Sequence, residues 1–216
     1  MPAALPSRAE RARRTGKLGA SAIADVLFGD YNPGGKLPYT IYPASFATDS
    51  DFLDMSMSNG VGRTYRFYKR SPLWPFGFGL SYSNFSLALR AATPLPNNCT
   101  SYAVAVSNTG PLDGDEVVQA YFAPGSNVRL SNAAPLPLRQ LFDFQRIHVR
   151  VGETVAVSFA VCDETTALVD GRGDIVSAPG TYDVTFTNGA GQSISATIGK
   201  TAPERVVEPF PGSSAA

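Results

Sequence analysis

Between Phe85 and Lys200 the sequence breaks into seven short apolar runs separated by turn signals, and nothing else in the chain constrains the fold as tightly. The runs are FSLALRAA, YAVAVSN, EVVQAYFAP, QLFDFQRIHVRV, TVAVSFAV, YDVTFTN and SISATIG. In the sixth, Tyr182, Val184 and Phe186 fall on one side and Asp183, Thr185 and Thr187 on the other, because successive side chains of a strand point to opposite faces. Asn108-Thr109-Gly110, Asp113-Gly114, Val151-Gly152, Pro179-Gly180 and Asn188-Gly189 supply the turns. Seven strands in about 115 residues, turning roughly every 8–12, predict an immunoglobulin- or fibronectin type III-like β-sandwich. The chain is therefore expected to be mainly β, with the sandwich over residues 85–200. A charged fraction of 17% with 20 glycines and 17 prolines also favours short strands over long surface helices.

The part before the sandwich reads differently. Residues 19–28 (GASAIADVLF) are the one convincing helix, with Ala20, Ile23, Ala24, Leu27 and Phe28 on one face and Gly29 as its stop. NPGGK is turn chemistry, and KLPYTIY can be a strand only at an edge or bulge, because Pro38 has no donor. Residues 49–61 lack any period and read as a loop. One small helix and one doubtful strand cannot bury a core, so residues 19–61 are expected to be an α/β remnant of another domain. Residues 62–84 crowd aromatic rings around prolines and glycines and read as the joint. There Gly77 and Gly79 permit close approach, and Phe76, Phe78, Tyr82 and Phe85 pack across it. Residues 1–18 are a basic tail (Arg8, Arg11, Arg13, Arg14, Lys17) without an apolar segment behind it, so no signal peptide is visible. That tail and residues 201–216, rich in Pro, Ser and Ala, are both predicted to be disordered. Eighteen basic residues balance eighteen acidic ones, which gives no reason to expect nucleic acid or an anionic membrane as partner.

Few residues invite chemistry. Cys99 and Cys162 are an even pair; a disulfide is favoured, two buried inert thiols being the alternative. Asn84-Phe85-Ser86 and Asn98-Cys99-Thr100 are N-glycosylation sequons, which together with a cystine point to a secreted protein. His148 is the only histidine, which excludes a two-histidine metal site, and its strand position favours a structural role. Asp49, Asp51 and Asp54 are the most tempting carboxylates, but acids this close on one loop more often solvate it than work as a facing pair. Asp113-Gly114-Asp115-Glu116 reads as a turn and lacks the ligand spacing of a calcium loop. Arg172-Gly173-Asp174 spells an adhesion-type tripeptide that recurs by chance. No cofactor and no metal are expected.

Several stretches resemble the C-terminal portion of glycoside hydrolase family 3: AIADVLFGDYNPGGKLPYTIYP (22–43), GRTYRFY (62–68), PLWPFGFGLSYSNF (72–85), VSNTGPLDGDEVVQAYFAP (106–124), PLRQLFDFQRIHVRVGE (137–153) and PGTYDVTFTNGAG (179–191). The match runs in order over most of residues 19–199, and GRTYRFY followed by PFGFGLSY looks nearest the β-xylosidase/α-arabinofuranosidase branch, with β-glucosidases sharing much of it. The resemblance implies a parent with a barrel, an α/β sandwich domain and a fibronectin type III-like domain. Its nucleophilic aspartate would lie on the barrel and its acid/base carboxylate upstream in the α/β domain, and neither has a counterpart here. No catalytic residue carries over, and residues 1–18 depart from the Gly-Glu-Glu-Gly-Gly-like approach expected before the helix. Arg63 and Tyr65 are the substrate-cleft candidates within the matched motifs. The expectation is thus an accessory C-terminal part of a secreted glycosidase acting on β-xylosides or β-glucosides in polysaccharide breakdown, inactive alone. Carbohydrate would be its partner only within the full-length parent. The alternatives are a non-catalytic sandwich that binds polysaccharide or a partner protein, and a chain that pairs with a separately encoded catalytic half.

Overall fold

All seven runs are strands in the computed structural model, which describes residues 19–132 and 134–211. The basic segment 1–18 and the end of the chain from 212 lie outside the described residues. The strands are β1 (Phe85–Leu95), β2 (Cys99–Asn108), β3 (Gly114–Pro124), β4 (Gln140–Val149), β5 (Thr154–Val161), β8 (Gly180–Thr187) and β9 (Ser193–Lys200). They form two antiparallel sheets, one in the order β1-β2-β5 and the other β4-β3-β8-β9. Each sheet turns its apolar positions inward, as the alternation requires: Val157, Phe159 and Val161 of β5 face Val184 and Phe186 of β8 in one buried cluster. Phe186 holds this core at its centre, its ring 5.2 Å from that of Phe159 and 5.6 Å from that of Tyr102. A disulfide joins Cys99 to Cys162 across 63 positions of sequence, tying the start of β2 to the end of β5. Closing a loop of that size stabilises the fold by about 4 kcal/mol on the chain-entropy account.

Three short strands had no signal in the sequence. β6 (Leu168–Val169), β7 (Ile175–Ser177) and β10 (Arg205–Glu208) form a small sheet in the order β10-β7-β6. Runs of two to four residues are too short to show alternation. β10 corrects the expectation of a disordered tail for 201–211: Val206 pairs with Val176, and the Phe210 amide donates to the Asp174 carboxylate at 2.7 Å. A short helix, α4 (Ser126–Ser131), sits over a second small core of Phe122, Val128, Leu168 and Tyr182.

Ahead of the sandwich lie α1 (Gly19–Leu27), α2 (Phe46–Asp49) and α3 (Thr64–Phe67). KLPYTIY does not become a strand; it makes one bridge, Ile41 to Trp74, because Pro38 interrupts the donor row. This segment and the joint lie on the outer face of β3 and so make a third layer. Tyr121 and Phe122 point to opposite faces of β3, and both are buried. Phe122 faces the small core under α4, while Tyr121 faces the joint, where Tyr65 meets it edge-on at 5.9 Å. Gln119, on the same face, donates to the Gly77 carbonyl at 2.9 Å and accepts from the Tyr121 hydroxyl at 2.6 Å. Gly77 must be glycine on two counts: its φ is +81°, and a Cβ there would fall onto the Gln119 side chain. Across the same contact, a Cβ on Gly189 (φ +69°), in the β8–β9 turn, would meet the Gly77 carbonyl.

Candidate functional site

The seam between the front layer and β3 gathers most of the buried polar chemistry in the molecule. Glu116 is buried on β3, where its carboxylate meets the Lys36 ammonium at 2.7 Å, accepts from its neighbour Val117 at 2.9 Å and from Asn188 at 3.1 Å. Desolvating two charges is costly, and a buried pair survives only when the remaining lone pairs are also met, as these are. Asn32 accepts from the Ser81 hydroxyl and the Tyr82 amide, so the NPGGK turn is fixed to the far end of the joint. Leu138 donates its amide to the Arg66 carbonyl at 2.6 Å, and the Leu141 amide donates to the Tyr65 hydroxyl at 3.2 Å. Sequence reasoning missed this network. Its one available signal was a charged residue and an amide, Glu116 and Gln119, within an otherwise apolar run.

The acidic candidates are not brought together. Asp49 pairs with Arg70. Asp51 caps its own loop through the Leu53 amide, and its backbone carbonyl accepts from Arg63 at 2.6 Å. Asp54 accepts from the Ser56 amide and from Asn59. Those two hydrogen bonds, the amide first, hold the Asp54 carboxyl below its ordinary value, the opposite of what a proton-donating acid requires. His148 shares Asp115 with Arg146 on the exposed face of β3 and β4, with contacts of 2.8 and 2.7 Å. Asp113 accepts from the Val151 amide at 2.7 Å, next to the start of β3. In the Arg172-Gly173-Asp174 tripeptide Asp174 is buried between β6 and β7, so the triplet is not displayed as a unit. Asn84 and Asn98 are both exposed, the former just before β1 and the latter in the β1–β2 turn beside Cys99. Among the described residues no cluster of three or more His, Cys, Asp or Glu could hold a metal ion, and no helix is long and apolar enough to cross a membrane.

Arg63 and Tyr65 part company. Arg63 is tied to the acidic loop, while Tyr65 lines a groove with Thr40, Tyr68, Arg70, Phe76 and Arg139. Tyr65 and Phe76 stack at 4.3 Å in one wall. The Arg139 guanidinium lies 4.6 Å over the Tyr121 ring. Burial is the main cause that pushes the Tyr121 hydroxyl up to about 12, with Arg139 opposing it.

Residues 12–82 match the glycosyl hydrolase family 3 C-terminal domain and residues 116–189 the fibronectin type III-like domain. A xylan 1,4-beta-xylosidase of Xylanibacter ruminicola is 35% identical over 175 residues, which covers 79% of this chain and 19% of the relative. A beta-xylosidase of Formosa agariphila is 38% identical over 180 residues, covering 78% of this chain and 23% of the relative. The crystal structure of a beta-glucosidase from Kluyveromyces marxianus superposes with a TM-score of 0.73 at 26% identity, over 90% of this chain and 24% of that one. The chain thus spans about a fifth to a quarter of the length of these proteins.

Proposed function

Because the chain belongs to the C-terminal region of glycosyl hydrolase family 3, we propose that it is the non-catalytic, structural part of a secreted β-glycosidase of the xylosidase type. Such an enzyme hydrolyses β-linked sugars with retention, through two carboxylates about 5–5.5 Å apart. This part supplies neither carboxylate. Its role is to present a rigid wall: the sandwich holds β3, and β3 holds the joint and the loops of the front layer in place. The observation that carries the reading is the double burial of β3, which makes the two matched regions one packed body. The names of the relatives favour β-xylosides in polysaccharide breakdown as the substrate class. The two exposed sequons and the cystine favour secretion.

The partners of the acids support an inactive chain. Asp49 is neutralised by Arg70, and Asp51 and Asp54 spend their oxygens on their own loop. Purified chain incubated with p-nitrophenyl β-xyloside and β-glucoside is expected to give no turnover above buffer. Turnover abolished by replacing Asp49, Asp51 or Asp54 would overturn the reading.

A further inference from the structure

The groove at the edge of the seam has features that packing alone does not require. Its volume is about 220 Å³, below the roughly 300–1,000 Å³ of pockets for larger ligands and at the scale of a single ring. Its walls are aromatic and prolyl: Tyr65, Tyr68, Phe76, Pro72 and Pro75. Among the described residues, the Arg139 guanidinium lies over the Tyr121 ring and forms no ion pair with a carboxylate. A guanidinium held over a ring keeps its fork of donors for another partner. The second cation, Arg70, is already neutralised by Asp49, so the groove carries one net positive charge, on Arg139.

We propose that this groove binds a uronic acid, free or as a glycan substituent, with the sugar ring against the Tyr65–Phe76 wall and its carboxylate on Arg139. An aromatic wall suits the apolar face of a pyranose, and a planar fork suits a carboxylate bidentately. This binding does not depend on the catalytic activity of any longer protein.

The single tryptophan is placed to report on it. Trp74 precedes the lining residue Pro75, and its backbone bridges to Ile41, next to Thr40. Titrating the whole chain with sodium D-glucuronate is expected to change tryptophan fluorescence saturably, while D-xylose and sodium acetate do not reproduce the change. Arg139→Ala is expected to weaken the response at least about tenfold, since a charge-assisted hydrogen bond contributes about 1.5–3 kcal/mol. Arg139→Lys, which keeps the charge without the planar fork, should weaken it less. Thermal melting of each variant confirms that it is folded; if Arg139→Ala is not, Arg139→Lys decides. No response to glucuronate, an equal response to acetate or xylose, or affinity unchanged in the folded variants would each overturn the proposal.

Discussion

The sandwich and the front layer are held together by opposite means. In the sandwich, apolar side chains alternate and meet in one cluster, and Val104, Val106, Phe159 and Phe186 are fully buried. In the front layer, the apolar face of α1 meets nothing comparable among the described residues: Ile23, Leu27 and Phe28 are 63, 71 and 84% exposed. Leu53 and Met55 on the acidic loop are as open. What orders the front layer is its attachment to β3, through an ion pair, an amide and an edge-on ring contact. The sandwich makes its own core; the front layer borrows a face.

This contrast can be broken experimentally, and the sandwich should be hit hardest. Phe186→Ala is expected to cost about 3–5 kcal/mol in urea unfolding, the usual range for an aromatic removed from a closed core. A cost below about 1 kcal/mol would mean that the two sheets do not pack as one. Replacing Cys99 and Cys162 together with alanine should cost about 4 kcal/mol, read in the same way, because the constraint on a 63-residue separation is lost. Lys36→Met tests the seam: it leaves Glu116 buried without its cation and should cost about 3 kcal/mol, less than other broken pairs because Val117 and Asn188 still donate to it. An unchanged midpoint would show that the front layer contributes nothing to the stability of β3.

A gentler probe of the seam is alkaline pH. The Tyr121 hydroxyl is raised from 10.0 to about 12 by burial, so its contribution is complete below pH 10 and lost as pH rises toward 12. Tyr182, raised to about 12 likewise by burial, adds the same slope from inside the sandwich. Tyr121→Phe should therefore flatten part of the loss of stability over that window and leave the rest. The smallest effect belongs to α1. Ile23→Ser with Leu27→Ser should change stability by under about 0.5 kcal/mol per site and raise solubility. A larger loss would mean that the helix packs on something after all.

How much of this could be read in the residues follows the same division. Long strands declare themselves by alternation, and the turns by Gly and Asn, so the sandwich was legible down to its runs. Strands of two to four residues, such as β7 and β10, carry no period and exist only because each finds the other. The joint was recognisable as aromatic, but its partner was not, because alternation along β3 does not say what covers its second face. Gln119 and Tyr121 alternate with the buried Val118 and Ala120 as outward residues should. Only the fold brings a third layer over them. Arg139 was invisible for a related reason: one arginine between Leu138 and Gln140 gives no sign that it will lie on a buried ring.

The contact between Gly77 and Gly189 has a mechanical consequence. Two backbones meet there with no side chain between them, and both glycines hold conformations that other residues adopt only with strain. Side chains can yield by changing rotamer, but such a contact has no compliance of that kind. The joint and the far hairpin must therefore move as one piece. Ahead of that piece, α1 is tied to the joint by the Tyr82 hydroxyl, which donates to the Val26 carbonyl at 2.8 Å, and Tyr31 just after it is tied to β4 by Arg146.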